Sequence, residues 1–451
     1  MTATAPPPAT PFTMRRLDLA AADETTAATV DRLHHRAAIT NPAVRDAVRV
    51  ILDDVRLRGE AAVLEAGATF GGGPADRRLV IGRSELAEAA RILRPDIRAA
   101  LQAAIDNVRA FAEPQRPAST RVETAPGVVV ERRWLPLRRV GCYVPGGGAP
   151  YPSSLVMTVV PARVAGVDQI VVASPAGPDG RVDPIVAGAA GLLDVDSLLV
   201  AGGAQAIGAL AFGLAECALQ PVDRIVGPGN AWVTAAKIEV GAIVGIDLPA
   251  GPSEGMVLAD GEADPVLVAA DLVTQAEHGP DSPALLVTTD GRLADAVEAE
   301  VAALLTRLER KAILAAALRD HGWIVLAPEL DAAIAFVDGY APEHLSIDVA
   351  DAEAAAARIR NAGAIFVGPW APESAGDYAT GANHVLPTGG LARSSGPLSV
   401  EAYGRFSQVQ RIDRDGLANL APTIRTLATA EGLTAHRNAV DARFRDDVDP
   451  S

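Results

Sequence analysis

Seven histidines are spread over 451 residues, and one stands in a cluster that packing alone does not explain. The segment "DLVTQAEHGPDS" (271–282) sets Gln275, Glu277 and His278 at the end of a helical pattern that Gly279-Pro280 stops. Adjacent helical residues diverge by about 100°, so Glu277 does not easily share an ion with His278, whereas Gln275 and His278, three apart, share a face. Two readings stay open on these residues alone. One is part of a metal site; the other is a polar helix end whose histidine complements the helix dipole.

The remaining histidines bear on that choice. His344 follows Glu343 in "YAPEHLSI", where the pair opens a strand; His384 follows Asp377 in "SAGDYATGANHVLPTGG"; His436 follows Glu431 in "EGLTAHRNAV". With His278, these make four histidines near carboxylates at loops or element ends. Nitrogen and oxygen donors without thiolates suit zinc or another first-row divalent ion. His34, His35 and His321 lie in polar surroundings and are read as surface residues.

A second kind of site is signalled by glycine. Three Gly-rich turns follow strand-like segments: "YVPGGGAPYPSS" (143–154), "AGGAQAIGA" (201–209) and "VGPGNAW" (226–232). Such turns let backbone N–H groups approach an anionic ligand, although α/β proteins also turn on Gly and Pro without one. Two of the three carry an amide, Gln205 and Asn230, and together they favour one nucleotide site at the edge of a sheet. No G-x-G-x-x-G follows any strand, so the conventional dinucleotide fingerprint is absent.

These residues must be positioned by elements that the hydrophobic pattern locates. From 15 to about 112 the chain reads as mostly helical, with Val44, Val48, Ile51, Leu52 and Val55 at helical spacing, Ser84 as an N-cap and Pro95 in a first turn. After Gly127 come two extended runs. Short apolar strands then alternate with Ala-rich helices: "QIVVAS", "SLLVAG", "RIVG", "GMVLAD", "ALLVTT", "GWIVLA", "HLSID" and "AIFVG". That alternation predicts parallel sheets covered by helices, in two units with a seam near "GIDLPAGPSEGM". After Gly389 the chain is expected to be polar and helical, ending in a short charged tail.

Composition narrows the classes. Hydrophobic residues make up 49% and charged residues 21%, as in ordinary soluble proteins. A net charge of −16 argues against nucleic acid as partner. Cys142 and Cys217 are too few for a disulfide framework or a four-thiolate zinc site, and they fit a reducing, cytoplasmic setting. "MTATAPPPATPFTM" reads as a disordered tail and lacks the pattern of a signal peptide. Ser197 to Ala215 is uncharged and suggests a membrane span, but Gly202-Gly203 divides it into strand, turn and helix.

Taken together, the motifs resemble the histidinol dehydrogenase family over nearly the whole chain after the tail. The likeness rests on "VGCYVPGG", "AGGAQAIGAL", "VGPGNAWVTAAK", "GIDLPAGPSE", "DLVTQAEHGPDS", "YAPEHL", "ESAGDYATGANHVLPTGG" and "EGLTAHRNAV", all in the family's order. The resemblance implies oxidation of L-histidinol to L-histidine through histidinaldehyde in two NAD-dependent steps, the last of histidine biosynthesis. It implies one zinc per subunit on Gln275, His278, Asp377 and His436, the last supplied across a homodimer. Glu343 and His344 would form the acid–base pair, and an imidazole near its ordinary pKa of about 6.5 suits His344 as base. Ser253, His384 and Glu431 would contact substrate along with the zinc ligands and the acid–base pair, and Tyr143, Gln205 and Asn230 would hold NAD.

The implied fold is α/β, with two Rossmann-like parallel-sheet domains, a helical N-terminal segment and a C-terminal dimerisation tail. The expected boundaries are a tail and helical arm at 1–35, a first domain from 36–141 and 254–390 carrying most of the zinc site, an NAD-binding domain at 142–253, and a helical tail at 391–451. Thr158, Pro283 and Pro397 depart from common family residues. They leave room for a paralogue that oxidises a sulfonated diol or another amino alcohol. A non-catalytic metal- or nucleotide-binding module is the alternative of another class, and the retained acid–base pair argues against it.

Overall fold

Strands that read as unbroken apolar runs need cover on both faces, and the computed structural model shows how they obtain it. It describes residues 12–21, 23–36, 42–146 and 149–447; most of the N-terminal tail and Gly147 of the "VGCYVPGG" motif lie outside them. One sheet is wholly parallel and runs Arg15–Asp18, Trp323–Leu326, Ala284–Thr288, Gly255–Ala259, His344–Asp348, Ala364–Val367. Every residue of Gly255–Ala259 and Ala284–Thr288 is buried, as central strands require. The other sheet runs Val80–Gly82, Ser197–Val200, Gln169–Ser174, Arg139–Tyr143, Arg224–Val226, Gly245–Ile246, parallel except at its Val80–Gly82 edge. In each, the first strand of the strand–helix alternation sits centrally and later strands add on either side, the doubly wound arrangement.

The grouping of segments differs from the sequence expectation. Residues 42–112 do not pack with the 254–390 sheet. Helix Pro42–Arg58 packs on Gly203–Phe212 and Ala231–Val240, helix Arg83–Arg91 on Pro184–Leu192, and helix Pro95–Ala112 on Pro152–Ala165. They therefore cover the sheet of residues 139–246. Periodicity located their apolar faces, but the partner of a face is a tertiary choice. The arm also begins with a strand, Arg15–Asp18, ahead of helix Glu24–His34. At the Arg83–Arg91 helix the cap is Gly82, with Ser84 inside the first turn, while Pro95 takes its expected first-turn place.

Residues 116–136 and 404–447 form a separate unit. Its sheet is antiparallel, with Val128–Pro136 between Thr120–Ala125 and Gly404–Ile412. Helices Arg414–Ala430 and Thr434–Asp441 follow. The strand Gly404–Ile412 corrects the expectation of a wholly helical tail. Its pairing partner is remote in sequence, and Trp134 packs edge-on against Phe406 at 5.3 Å between ring centroids. Among the described residues no helix is long and apolar enough to cross a membrane, and Ser197–Val200 and Gly203–Phe212 divide the uncharged stretch as expected.

One buried ion pair shapes the turn between the strand Arg224–Val226 and the helix Ala231–Val240. Lys237 and Asp247 are in contact with side chains 2% and 1% exposed. Lys237 Nζ donates to Gly227 O at 2.9 Å, and Gly227 N donates to Asp247 Oδ2 at 2.7 Å. Gly227 has φ of 114°, and a Cβ there would stand 2.1 Å from Tyr143 O, so only glycine lets the two strand ends approach. Removing one partner of such a pair leaves an uncompensated charge. Lys237→Met is expected to destabilise the protein by roughly 3–5 kcal/mol in denaturant unfolding. Lys237→Met/Asp247→Asn is expected to regain part of that loss; a double variant no more stable than the single would contradict this account.

Candidate active site

The two sheets present opposite edges to one cavity of about 340 Å³. From the 139–246 sheet come residues just past the carboxyl ends of strands: Pro145 and Gly146 after Arg139–Tyr143, and Pro228, Gly229 and Asn230 after Arg224–Val226. From the other sheet come residues at the amino ends of strands. Register aligns Gly255 with both His344 and Ala284, so Ser253, Glu343 and Ser282 converge there, all lining the cavity. Helix Pro265–Ala276 ends at the same edge, as the helix before a parallel strand must, and delivers His278 to it. The first sheet thus departs from the rule that places ligands at carboxyl ends.

Gln275 is 2% exposed, and the bare Cα of Gly255 makes room for it, since a Cβ there would come within 2.7 Å of the glutamine side chain. Its Nε2 donates to Ser253 Oγ at 3.2 Å, whereas its Oε1 is buried without a hydrogen-bond partner. An orphaned buried carbonyl oxygen is what a cation would satisfy. His278, Glu373 and Asp377 each offer one donor atom, all within 4.8 Å of one another. This set fits a divalent first-row ion. Glu277, excluded on helical geometry, is exposed at the helix C-cap.

Charge balance sets the state of these groups. Burial opposes protonated His278, but its 3.2 Å contact with Glu373 Oε1 and the charges of Glu373, Asp377 and Glu343 push its pKa up to about 9. Burial raises the Asp377 carboxyl, yet His384, with Nδ1 at 3.5 Å, together with His344 and His278 brings it below the usual value.

Glu343 and His344 are 6% and 4% exposed, with His344 Nδ1 at 3.6 Å from Glu343 Oε2. Burial pushes Glu343 up to about 7, against His344, the backbone N–H of Glu254 (2.9 Å) and Ser253 Oγ (2.8 Å), which favour its anion. For His344, burial favours the neutral ring, but Glu373, Glu343 and Asp377 outweigh it and hold the pKa above the ordinary value. This corrects the expectation of an unperturbed imidazole: the neighbouring Glu343 and two carboxylates of the helix Glu373–Tyr378 act on the ring. Both ring nitrogens are buried without hydrogen-bond partners.

Tyr143, Gln205 and Asn230 line an adjoining cavity of about 560 Å³ with Gly72, Gly146, Pro175, Gly202 and Gly203. Tyr143 Oη accepts from Gly203 N at 3.1 Å, tying the first two Gly-rich turns together. Asn230 Oδ1 caps the helix Ala231–Val240 through Trp232 N and Val233 N, leaving its amide nitrogen for a ligand. Cys142 is fully buried and its thiol is pushed up to about 12; burial also raises Cys217. Neither is placed as a nucleophile.

The structure brings together Ser253, Gln275, His278, Glu343, His344, Asp377 and His384. Glu431, the C-cap of helix Arg414–Ala430, and His436, in helix Thr434–Asp441, are exposed residues of the second unit. His34 is not a plain surface residue: it is half-buried, with its ring 5.0 Å from that of Phe336. His35 and His321 are exposed as expected. Sequence reasoning missed Glu373, whose spacing four before Asp377 on helix Glu373–Tyr378 was the available signal. It also missed Glu254 and Arg36, which no local pattern marks.

Comparison with known proteins gives the family of the chain. A family model described as histidinol dehydrogenase matches residues 34–444. The histidinol dehydrogenase of Mycobacterium bovis is 47% identical over 447 residues, 98% of this chain and 99% of its own length. That of Leifsonia xyli subsp. xyli is 46% identical, covering 96% of this chain and 100% of its own. The crystal structure of histidinol dehydrogenase from Elizabethkingia anophelis superposes with a TM-score of 0.87 at 34% identity, covering 96% of this chain and 98% of that one. With likeness in motif order, fold and length, the chain belongs to the histidinol dehydrogenase family.

Proposed function

We propose that the chain oxidises L-histidinol to L-histidine in two successive NAD-dependent steps through histidinaldehyde, as a zinc-dependent homodimer. The observation that supports the reading is that buried Glu343 and His344 line the same cavity as His278 and Asp377 of a nitrogen–oxygen donor set, with a glycine-lined cavity adjoining it. Gln275, His278 and Asp377 would hold zinc, with His436 contributed by a second copy of the chain. When bound, zinc anchors the imidazole and amine of the substrate, and NAD accepts hydride.

The protein side of the reaction follows from the proton positions. In its neutral form His344 takes the alcohol proton as hydride departs. For the second oxidation the Glu343 carboxylate takes a proton from the water that adds to the aldehyde, while protonated His344 gives its proton to the aldehyde oxygen. Neutral His344 then accepts a proton of the resulting gem-diol as the second hydride departs, and the protons on Glu343 and His344 pass to solvent. Ser253, hydrogen-bonded to both Glu343 and Gln275, couples the base to the ligand set. His384 orients Asp377, and Glu431 would complete the substrate contacts across the dimer. With both thiol pKa values raised, a thiohemiacetal route is disfavoured and water addition is preferred.

Three outcomes test this. Zinc-loaded protein given L-histidinol and NAD should release two NADH per histidinol; one or none would favour a paralogue acting on another amino alcohol or a sulfonated diol. Mixing inactive Glu343→Gln and His436→Ala subunits should restore about a quarter of wild-type activity, since half of random dimers carry one intact site. No recovery would sink the shared site. In metal-free protein, zinc must displace the His278 proton below pH about 9. Apparent zinc affinity should rise about tenfold per pH unit towards that value and then level off. Glu373→Gln should move the plateau to lower pH in competition titrations with a chelator.

A further inference from the structure

Behind the acid–base pair lies an ion pair for which the proposed chemistry has no use. Arg36 stands just after helix Glu24–His34, remote in sequence from every residue of the site. Its Nε donates to Glu254 Oε2 at 2.7 Å and its Nη2 contacts Oε1, a two-point grip that suits a guanidinium and a carboxylate. Its Nη1 donates to the carbonyls of Leu33 at 3.2 Å and Tyr340 at 2.5 Å, and its Nη2 to that of Ala341 at 3.3 Å. The guanidinium also lies 3.3 Å from the centre of the Tyr340 ring. Glu254 is 3% exposed and accepts from Gly389 N at 3.1 Å as well. Both side chains are thus held on several sides.

What Glu254 does with its backbone gives the grip its meaning. Its N–H donates to Glu343 Oε2 at 2.9 Å, and its carbonyl accepts from His344 N at 3.2 Å. A single residue therefore holds both members of the acid–base pair through main-chain atoms, while Arg36 holds its side chain. We propose that Arg36 is a positioning residue, which fixes Glu254 and through it the catalytic geometry of Glu343 and His344. A buried ion pair is weak evidence for stability, because apolar replacements often fold as well. It does impose one geometry, and small displacements of catalytic groups are costly. Lysine would keep the charge but offer a single flexible point in place of a planar fork.

The inference rests on the proposed function for its kinetic test and has a second readout that does not. In the full-length, zinc-loaded enzyme, Arg36→Lys and Arg36→Ala are expected to lower kcat for histidinol on the order of 10–100-fold. Zinc content and the KM for NAD should stay within about twofold. Free guanidinium should restore part of the kcat of Arg36→Ala and none of that of Arg36→Lys. Independently of turnover, acylation of His344 by diethyl pyrocarbonate, followed by peptide mass, should be faster in Arg36→Ala and slowed again by guanidinium. The exposed His321 should react at an unchanged rate in all forms. Unchanged kcat and unchanged His344 acylation would overturn the proposal. So would a general loss in which zinc content, the KM for NAD and His321 reactivity move together with kcat. If the wild type makes no NADH from histidinol, the functional reading fails, and the His344 acylation rates still decide the role of Arg36.

Discussion

Four carboxylates, Glu254, Glu343, Glu373 and Asp377, are buried around one site, and much of the molecule is arranged to make that tolerable. An unpaired buried carboxylate costs several kcal/mol. Each of the four is relieved differently. Arg36 pairs with Glu254, His278 with Glu373 and His384 with Asp377, while Glu343, whose ion-pair partner among the described residues is His344, keeps its proton up to about pH 7. A divalent cation among the same donors would relieve the same excess, so metal affinity, histidine protonation and the readiness of the base belong to one electrostatic balance.

This balance needs side chains from many segments at one point, and the two doubly wound sheets supply them by facing opposite edges to the cavity. Carboxyl ends of strands in one sheet bring glycine-rich turns and free backbone donors, suited to an anionic ligand. Amino ends of strands in the other bring helix C-termini and side chains, suited to cation binding and proton transfer. The buried Lys237–Asp247 pair and the close approach of Gly227 to Tyr143 keep the first edge in shape. Paired strands Gly255–Ala259 and His344–Asp348 keep the second, because their register sets Glu254 beside Glu343.

Much of this was legible beforehand where the signal is local. Alternating apolar runs and Gly–Pro punctuation located the parallel strands, and helical spacing set Glu277, which the fold leaves exposed, apart from buried Gln275. Where the partner is distant, the same reasoning failed. The strand Gly404–Ile412 shows its pattern only against Val128–Pro136, and the helices of 42–112 reveal their apolar faces without saying which sheet receives them. His34 and His35 look alike in sequence, yet only one is tucked against Phe336.

By itself, the sequence determined the alternation of elements, the motif order that identifies the family, and the residue types available for metal, base and nucleotide. These depend on short-range periodicity and on which chemical groups are present. Only the tertiary structure decided that Glu373 joins His278, that Arg36 reaches Glu254, and that His344 and Glu343 depart from their ordinary pKa values. Those outcomes depend on burial and on charges brought together from distant segments, and both come into being when the chain closes on itself.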